Sequence, residues 1–434
     1  MMELITTKNN TLYFDGCNTV KLAEEYGTPL YVLSENEIVN RCNQLKEMFL
    51  DKYHNTRVAY ASKAFLTLAM CKIIEREGLS LDVVSGGELY TAIKAGFPPE
   101  RIELHGNNKT YEELELAIQY GIKYIIVNYS DEIDLIEEVC AQNDKNVEVL
   151  FRISPEVDIN SHEHIATGKK NSKFGFTLDN DVIFSAVKRV LHSKYLEFKG
   201  YHFHIGSQLF ERDSHLKALD VILTVAKDTK SVLGIEVEEI NIGGGFGVNY
   251  TQQDDRKPYS FFLDPVMKKV DEYTSENNVK KPIVIIEPGR SIVAEAGLTL
   301  YTVGSIKDIP GVKKYVAVDG GMPDNIRPAL YDANYEGVIA NKADAPKTDM
   351  IAVAGKCCES GDILIKEGKF AEAERGDILA IFSTGAYGYS MANNYNKLTV
   401  PAVVLVKDGK SQVIVKRQAN EDLLRNDVVP DYLK

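Results

Sequence analysis

The chain has 434 residues, 44% of them hydrophobic and 26% charged, with a formal net charge of -13. That length exceeds one ordinary core and sets two domains as the starting expectation. The acidic balance works against nucleic acid and anionic membrane as partners, because both call for basic surfaces. No segment reads as a secretory leader or as an apolar run able to span a bilayer, so the cytoplasm is the expected location. The six cysteines (Cys17, Cys42, Cys71, Cys140, Cys357, Cys358) show neither a disulfide framework nor a C-x-x-C metal site.

In chain order, "NTLYFDGC" (10–17) reads as a strand. Because chain termini often meet, it is expected to join a β domain built mainly from the C-terminal part. From residue 57 a unit recurs: a short β-branched or aromatic run, a polar or glycine-rich end, then a helical pattern. The runs are RVAYASK, LDVVSGGE, RIELHGNNK, YIIVNYSD, VEVLFRISP, FKGYHFHIGS, EEINIGGGFG and PIVIIEPGR. Between them lie amphipathic stretches such as "YEELELAIQYG" (111–121) and "DEIDLIEEVCAQN" (131–143), apolar at helical spacing. Strands alternating with helices argue for a parallel sheet, and eight units argue for closure into a (β/α)8 TIM-like barrel. One connection is long and polar, "SPEVDINSHEHIATGKKNSKFGFTL" (154–178), and follows a strand, which places it on the C-terminal face. After Arg290 the pattern turns to strands joined by turns. The expected division is 1–30 as an N-terminal segment joining the β domain, 31–290 as the barrel, and 291–434 as a mainly-β sandwich or barrel.

In such a barrel the strand ends converge on the face that carries catalysis. They supply Lys63, Asp82, Ser85, His105, Asn128, Arg152, His204, the glycines from Gly243, and Glu287 with Arg290. Lys63 is either a solvated charge beyond a strand or an amine held to form a Schiff base with an aldehyde. "NIGGGFGVNY" (241–250) is either a tight turn or a loop whose clustered amides bind a phosphate. A dinucleotide fingerprint fits it poorly, since Asn249 and Tyr250 stand where a helix should open. His202 and His204 share a strand face. They would suit a metal pair with His162 or His164, an imidazole stacked on a flat cofactor, or, for His202, simple local hydrogen bonding. Glu287 in "IEPGR" is a strand-capping partner of Arg290 or a carboxylate for a pyridinium nitrogen. Cys358 in "GKCCESGD" stands beside Glu359 at a glycine-flanked turn and looks less like core filler than its structural neighbour Cys357.

Together these stretches resemble the alanine-racemase-like (fold type III) PLP-dependent decarboxylases. The likeness runs in family order through YASKAF, DVVSGGE, HGNNK, TGKKNSKFG, YHFHIGSQ, GGGFG, EPGR, NIRPALY, CES and GAYGYSMANNYN, over more than 300 residues. The resemblance implies pyridoxal 5'-phosphate as cofactor, carried on Lys63, with His204 stacked on its ring and Glu287 at its ring nitrogen. It implies a phosphate held by Gly243, Gly244 and above all Gly245, with Ser207 and Tyr387, in a site that Asp82, Pro288, Gly289 and Arg290 also line. Arg290, Arg327, Tyr331, Glu359 and Tyr387 would hold the amino-acid substrate, Cys358 would donate the proton, and no metal is expected.

The activity implied is decarboxylation of meso-2,6-diaminopimelate to L-lysine and CO2, the last step of lysine biosynthesis. The alternative is a relative of the same fold acting on D- or L-lysine, ornithine, arginine or carboxynorspermidine. The resemblance also implies a homodimer with shared active sites, the CES segment serving the partner. One departure is visible: Lys356–Cys357 stands where the family often has a proline just before CES, which touches the stiffness of that turn.

Overall fold

A computed structural model of the chain describes residues 3–157 and 172–434. They form two compact units, Met1–Ile38 with Asn249–Asp254 and Ile292–Lys434, and Val39–Val248 with Asp255–Ser291. The second unit is a closed barrel of eight parallel strands. In chain order these are Thr56–Ala61, Ser80–Val83, Ile102–Leu104, Tyr124–Val127, Val147–Arg152, Leu196–His202, Glu239–Asn241 and Ile283–Ile286. All eight coincide with the eight sequence runs, and the eighth pairs with the first to close the ring.

The strands are apolar on both faces where helices cover them outside, as in Tyr124–Val127, which is buried throughout. Inside, Tyr124, Ile126, Leu150 and Ile285 pack as one cluster. Period-two spacing turns Tyr124 and Ile126 to the same side. The interior also carries charge. Arg57 donates to Glu103 at 3.1 Å and to Glu239 at 2.8 Å, with the Tyr124 hydroxyl bound to the same Glu239 carboxylate.

Side chains immediately after the strands start the helices. Thr67 accepts from the Met70 N–H, and Ser85 from the Glu88 N–H. Thr110 and Glu113 form a reciprocal capping box. Each satisfies amide donors that a helix start leaves open. Short strands followed by firmly capped helices therefore fix the strand-end loops from both sides. The connection after the fifth strand returns at Phe176, whose N–H donates to the Arg152 carbonyl and whose carbonyl accepts from the Ser154 N–H, both at 2.8 Å. His162, His164 and part of the TGKKNSKFG motif lie outside the described residues.

The other unit is mainly β. A nine-stranded sheet runs through Ile363–Phe370, Asp349–Ala354, Lys313–Val318, Gly297–Ile309, Leu30–Ser34, Ala402–Lys407 and Lys410–Val415, with Ile378–Phe382 and Gly337–Ile339 attached to it. The N-terminal strand in this sheet is Leu30–Ser34, paired with Gly297–Leu300 on one side and Ala402–Val406 on the other. Thr11–Phe14, from the stretch read as a joining strand, sits instead in a small sheet with Ile5–Lys8 and Cys17–Asn18 within the same unit. The reason is local. Asp15 and Gly16 both take positive φ, which turns the chain back on itself after Phe14. Leu12, Phe14 and Cys17 still reach the core shared with Leu30, Leu298 and Val404. The first unit thus extends to residue 38, past the expected boundary at 30, because sheet pairing claims Leu30–Ser34.

Candidate active site at the barrel mouth

Lys63 lies in a short turn, Ser62–Ala64, directly after the first strand, and its side chain is exposed. The turn is tied to the end of the eighth strand, where the Ala61 N–H donates to the Pro288 carbonyl at 3.2 Å. Gly289 permits this approach, since a Cβ there would sit 2.9 Å from both the Ala61 carbonyl oxygen and Cβ. The EPGR sequence therefore brings Glu287 beside the lysine-bearing strand for a packing reason.

Glu287 is the centre of the site. It is 8% exposed. His105 Nε2 approaches its Oε1 at 2.9 Å as an ion pair. His202 Nε2 lies 3.2 Å from its Oε2, and Asn241 Nδ2 donates to Oε1 at 2.7 Å. Burial works against its charge, but the imidazoles outweigh that, His105 foremost, and hold the carboxyl well below the usual carboxylate range. Burial likewise opposes the charge on His105, yet the Asp82 and Glu287 carboxylates raise it to about 10. His202 is pushed down to about 4, first by burial. Near neutral pH the cluster is thus an imidazolium–carboxylate pair with a second, neutral imidazole donating from Nε2. Asp82, 3.8 Å from His105, is raised to about 6, chiefly by burial.

His204 stands beyond the sixth strand. Its Nδ1 accepts from the Gly244 N–H at 3.2 Å, so the ring is tied to the glycine loop. Burial, then Lys63 and Arg152, keep it neutral, its pKa well below the ordinary histidine range. The loop Gly243–Gly245 continues the seventh strand. Gly245 has φ +95° and packs so closely that a Cβ would meet the Gly206 carbonyl at 2.4 Å, so this glycine is required by the protein itself. The amides of Gly245 and Phe246 have no acceptor among the described residues, which leaves two donors for an anion. Ser207 accepts from Arg290 Nε at 3.2 Å. Arg290 opens the short helix Arg290–Val293 and is 8% exposed.

The structure thus brings Lys63, Asp82, His204, Ser207, Gly243, Gly244, Gly245, Glu287, Pro288, Gly289 and Arg290 to the strand ends of one barrel. Of the other strand-end residues, Ser85 and Asn128 are structural. Ser85 caps a helix, and Asn128 Nδ2 donates to the Gly106 carbonyl at 2.7 Å. Arg152 lies over the Phe174 ring at 4.3 Å.

Arg327, Tyr331, Cys358, Glu359 and Tyr387 belong to the β unit. Arg327 is 7% exposed, donates to the Tyr335 hydroxyl and lies 4.8 Å over the Tyr250 ring. Tyr331 ends the helix Arg327–Tyr331 and is half-buried. Tyr387 has φ +60°, a conformation that costs a non-glycine residue about 1–3 kcal/mol and that marks functional loops more often than others. Cys358 and Glu359 are exposed. The Cys358 N–H donates to Asn396 Oδ1 at 2.8 Å, and buried Asp362 accepts from the Cys357 N–H at 2.8 Å. Cys357 is half-buried, and burial first, then Asp362, raise its thiol to about 12.

Sequence reasoning named His105 only as a strand end and missed Asn241, Glu103, Arg57 and Glu239. The available signal was charge or amide inside runs that were otherwise apolar. His105, His202 and Glu287 bring donor atoms within 4.8 Å of one another, which suits either a metal ion or a protonated ring nitrogen. Two buried atoms near Lys63, Ser62 Oγ and Asp82 Oδ1, have no hydrogen-bond partner among the described residues, Asp82 Oδ1 having only the distant His105 charge at 3.8 Å. Buried polar groups are rarely left so. With a nearby primary amine and free loop amides, this donor set fits pyridoxal phosphate.

An eight-stranded parallel barrel with an amine, an ionised carboxylate and two amides open to an anion at one mouth has the architecture of a pyridoxal-phosphate enzyme. The family model described as the pyridoxal binding domain of the pyridoxal-dependent decarboxylases matches residues 35–294, and the chain belongs to that family. It is 48% identical over 416 residues to diaminopimelate decarboxylase of Bacillus methanolicus, covering 95% of this chain and 96% of the relative. It is 46% identical over 417 residues to that of Bacillus subtilis, covering 96% and 95%. The crystal structure of diaminopimelate decarboxylase from M. jannaschii in co-complex with L-lysine superposes with a TM-score of 0.93 at 36% identity, covering 100% of this chain and 99% of that one. Among the described residues no helix is long and apolar enough to cross a membrane.

Proposed function

We propose that the chain decarboxylates meso-2,6-diaminopimelate to L-lysine and CO2 with pyridoxal phosphate held at the barrel mouth. The observation that carries this is Glu287, kept ionised by His105, His202 and Asn241 beside Lys63, in a chain 48% identical to a diaminopimelate decarboxylase. Because the product keeps an L centre, the carboxylate lost is the one on the D centre of the meso compound.

When bound, pyridoxal phosphate supplies a sink for the electron pair left behind as CO2 departs. Lys63 would hold it through its aldehyde, Glu287 through its ring nitrogen, and the Gly245 and Phe246 amides with Ser207 and Tyr387 through its phosphate, while Gly243 and Gly244, whose N–H groups go to Asn241 and His204, shape the loop. His204 would lie on the ring, neutral so that it adds no charge there. Asp82, Pro288 and Gly289 would line the same site. Arg290, Arg327, Tyr331 and Glu359 would grip the amine and carboxylate at the substrate's far end, where the forked donors of arginine match a carboxylate. Cys358 would give its proton to Cα as a positioned acid.

The working form on this reading is a cytoplasmic homodimer in which the Cys358–Glu359 turn of one copy serves the barrel of the other. The exposure of both side chains on the described chain supports it. The test is incubation of the purified chain and pyridoxal phosphate with meso-diaminopimelate, D-lysine, L-lysine, ornithine and arginine in parallel. The expected result is CO2 with L-lysine from diaminopimelate alone. Comparable turnover of D-lysine would remove the far-end carboxylate from recognition.

A further inference from the structure

We propose that Asn241 is a positioning residue that ties the two anchors of the cofactor together, and that Glu103 and Arg57 inside the barrel hold its amide in register. The proposal rests on the reading of the barrel mouth as a pyridoxal-phosphate site.

Asn241 ends the seventh strand and is fully buried. All of its polar atoms are engaged. Nδ2 donates to Glu287 Oε1 at 2.7 Å and to Glu103 Oε2 at 3.3 Å, while Oδ1 accepts from the Gly243 N–H at 2.9 Å. One rigid amide therefore reaches the carboxylate that would meet the ring nitrogen and the first glycine of the loop that would hold the phosphate. Its orientation is dictated by its partners. Two carboxylates face the NH2 group and one amide donor faces the carbonyl, so a flipped amide would set oxygen against both carboxylates.

The second carboxylate adds to the cost of that flip, and Glu103 is itself held in place. It is 2% exposed, its Oε1 accepts from Arg57 Nε at 3.1 Å, and its Oε2 faces Asn241 Nδ2 at 3.3 Å and, further off, His105 Nε2 at 4.0 Å. Arg57 is fixed in turn by Glu239 at 2.8 Å, two residues before Asn241 and on the same side of the strand. A continuous line of paired groups thus runs inside the barrel from Arg57 through Glu103 and Asn241 to Glu287. The chemistry at the mouth needs only the last of these, so the remaining members account for how that one is aimed.

The test is a titration of the apoprotein with pyridoxal phosphate, followed by absorbance, with the pH dependence of the bound band as a second readout. Asn241→Ala should weaken uptake about tenfold or more, the size of a lost hydrogen bond to a charged group. It should also move the pH profile of the bound band, because Glu287 has lost a donor. Glu103→Leu, which removes the acceptor, should weaken uptake several-fold. Glu103→Gln keeps one acceptor oxygen, which serves Asn241 only if its NH2 turns to Arg57, so it should bind between the parent chain and Glu103→Leu. Should Asn241→Ala fail to fold, the contrast between the two Glu103 variants decides the matter. Parent-like affinity and pH profile in Asn241→Ala, or equal weakening in the two Glu103 variants, would overturn the proposal. If the parent chain takes up no pyridoxal phosphate, the underlying reading falls first.

Discussion

At the barrel mouth Glu287 is 8% exposed and three side chains converge on it. In the β unit the Cys358 side chain is exposed, and it is the backbone that is held, by Asn396 at Cys358 and by Asp362 at Cys357. On the proposed reading, the difference follows from what each group would do. A carboxylate that must stay ionised while a positive ring nitrogen faces it is best enclosed among donors that do not move. An acid that must meet a substrate and then be reprotonated has to keep a path to solvent, so order is imposed on its backbone instead. The first arrangement ties function to stability, whereas the second separates them.

Four changes sharpen that contrast, taken from the largest effect down. Cys358→Ala should lower kcat by about 10²–10⁴-fold, the worth of a positioned acid. Absorbance of the bound cofactor and thermal stability should stay as in the parent chain. Arg57→Met, remote from any reacting atom, should instead destabilise the barrel by about 3 kcal/mol, because it leaves two buried carboxylates without their cation. A thermal melt of the apoprotein reads that loss.

The third change uses pH. His105 is raised from 6.5 to about 10, so its contribution to stability is full below pH 6.5 and is lost as pH rises through about 10. Glu287 is lowered, so its contribution is present above its ordinary value and is lost only in acid. Melts of the apoprotein from pH 7 to pH 10 should show the fall, and His105→Gln should flatten it. Asp82, Glu103 and Glu287 all face that imidazole, so the slope belongs to the group of four. The smallest effect is expected from Asn396→Ala, which frees the Cys358 N–H. A loss of roughly fivefold in kcat with KM nearly unchanged would match one neutral hydrogen bond.

Much of this was legible in the sequence because strand ends announce themselves. Each barrel strand is a short apolar run that stops at a polar or glycine residue, so Lys63, Asp82, His204 and Glu287 could be placed on one face before any coordinates. The cluster around Glu287 was not legible. His105, His202 and Asn241 come from the third, sixth and seventh strands, and only the curvature of the barrel decides which of them touch. The interior charges were overlooked for a related reason. Arg57, Glu103 and Glu239 stand in separate runs far apart in the sequence, and only closure of the ring shows them to be partners. At the N-terminus, the positive-φ turn at Asp15–Gly16 sent Thr11–Phe14 into a sheet of its own, and Leu30–Ser34 took the place in the large sheet. In the β unit Cys358 beside Glu359 stood out at its glycine-flanked turn, whereas Arg327, Tyr331 and Tyr387 were found by resemblance, since no periodicity singles them out.

The most direct test of the barrel mouth as the cofactor site is borohydride reduction of the chain after loading with pyridoxal phosphate, followed by peptide mapping. A single pyridoxyl label on the peptide containing Lys63, abolished by Lys63→Ala, is the result predicted. A label on another lysine, or a protein that carries none, would contradict it.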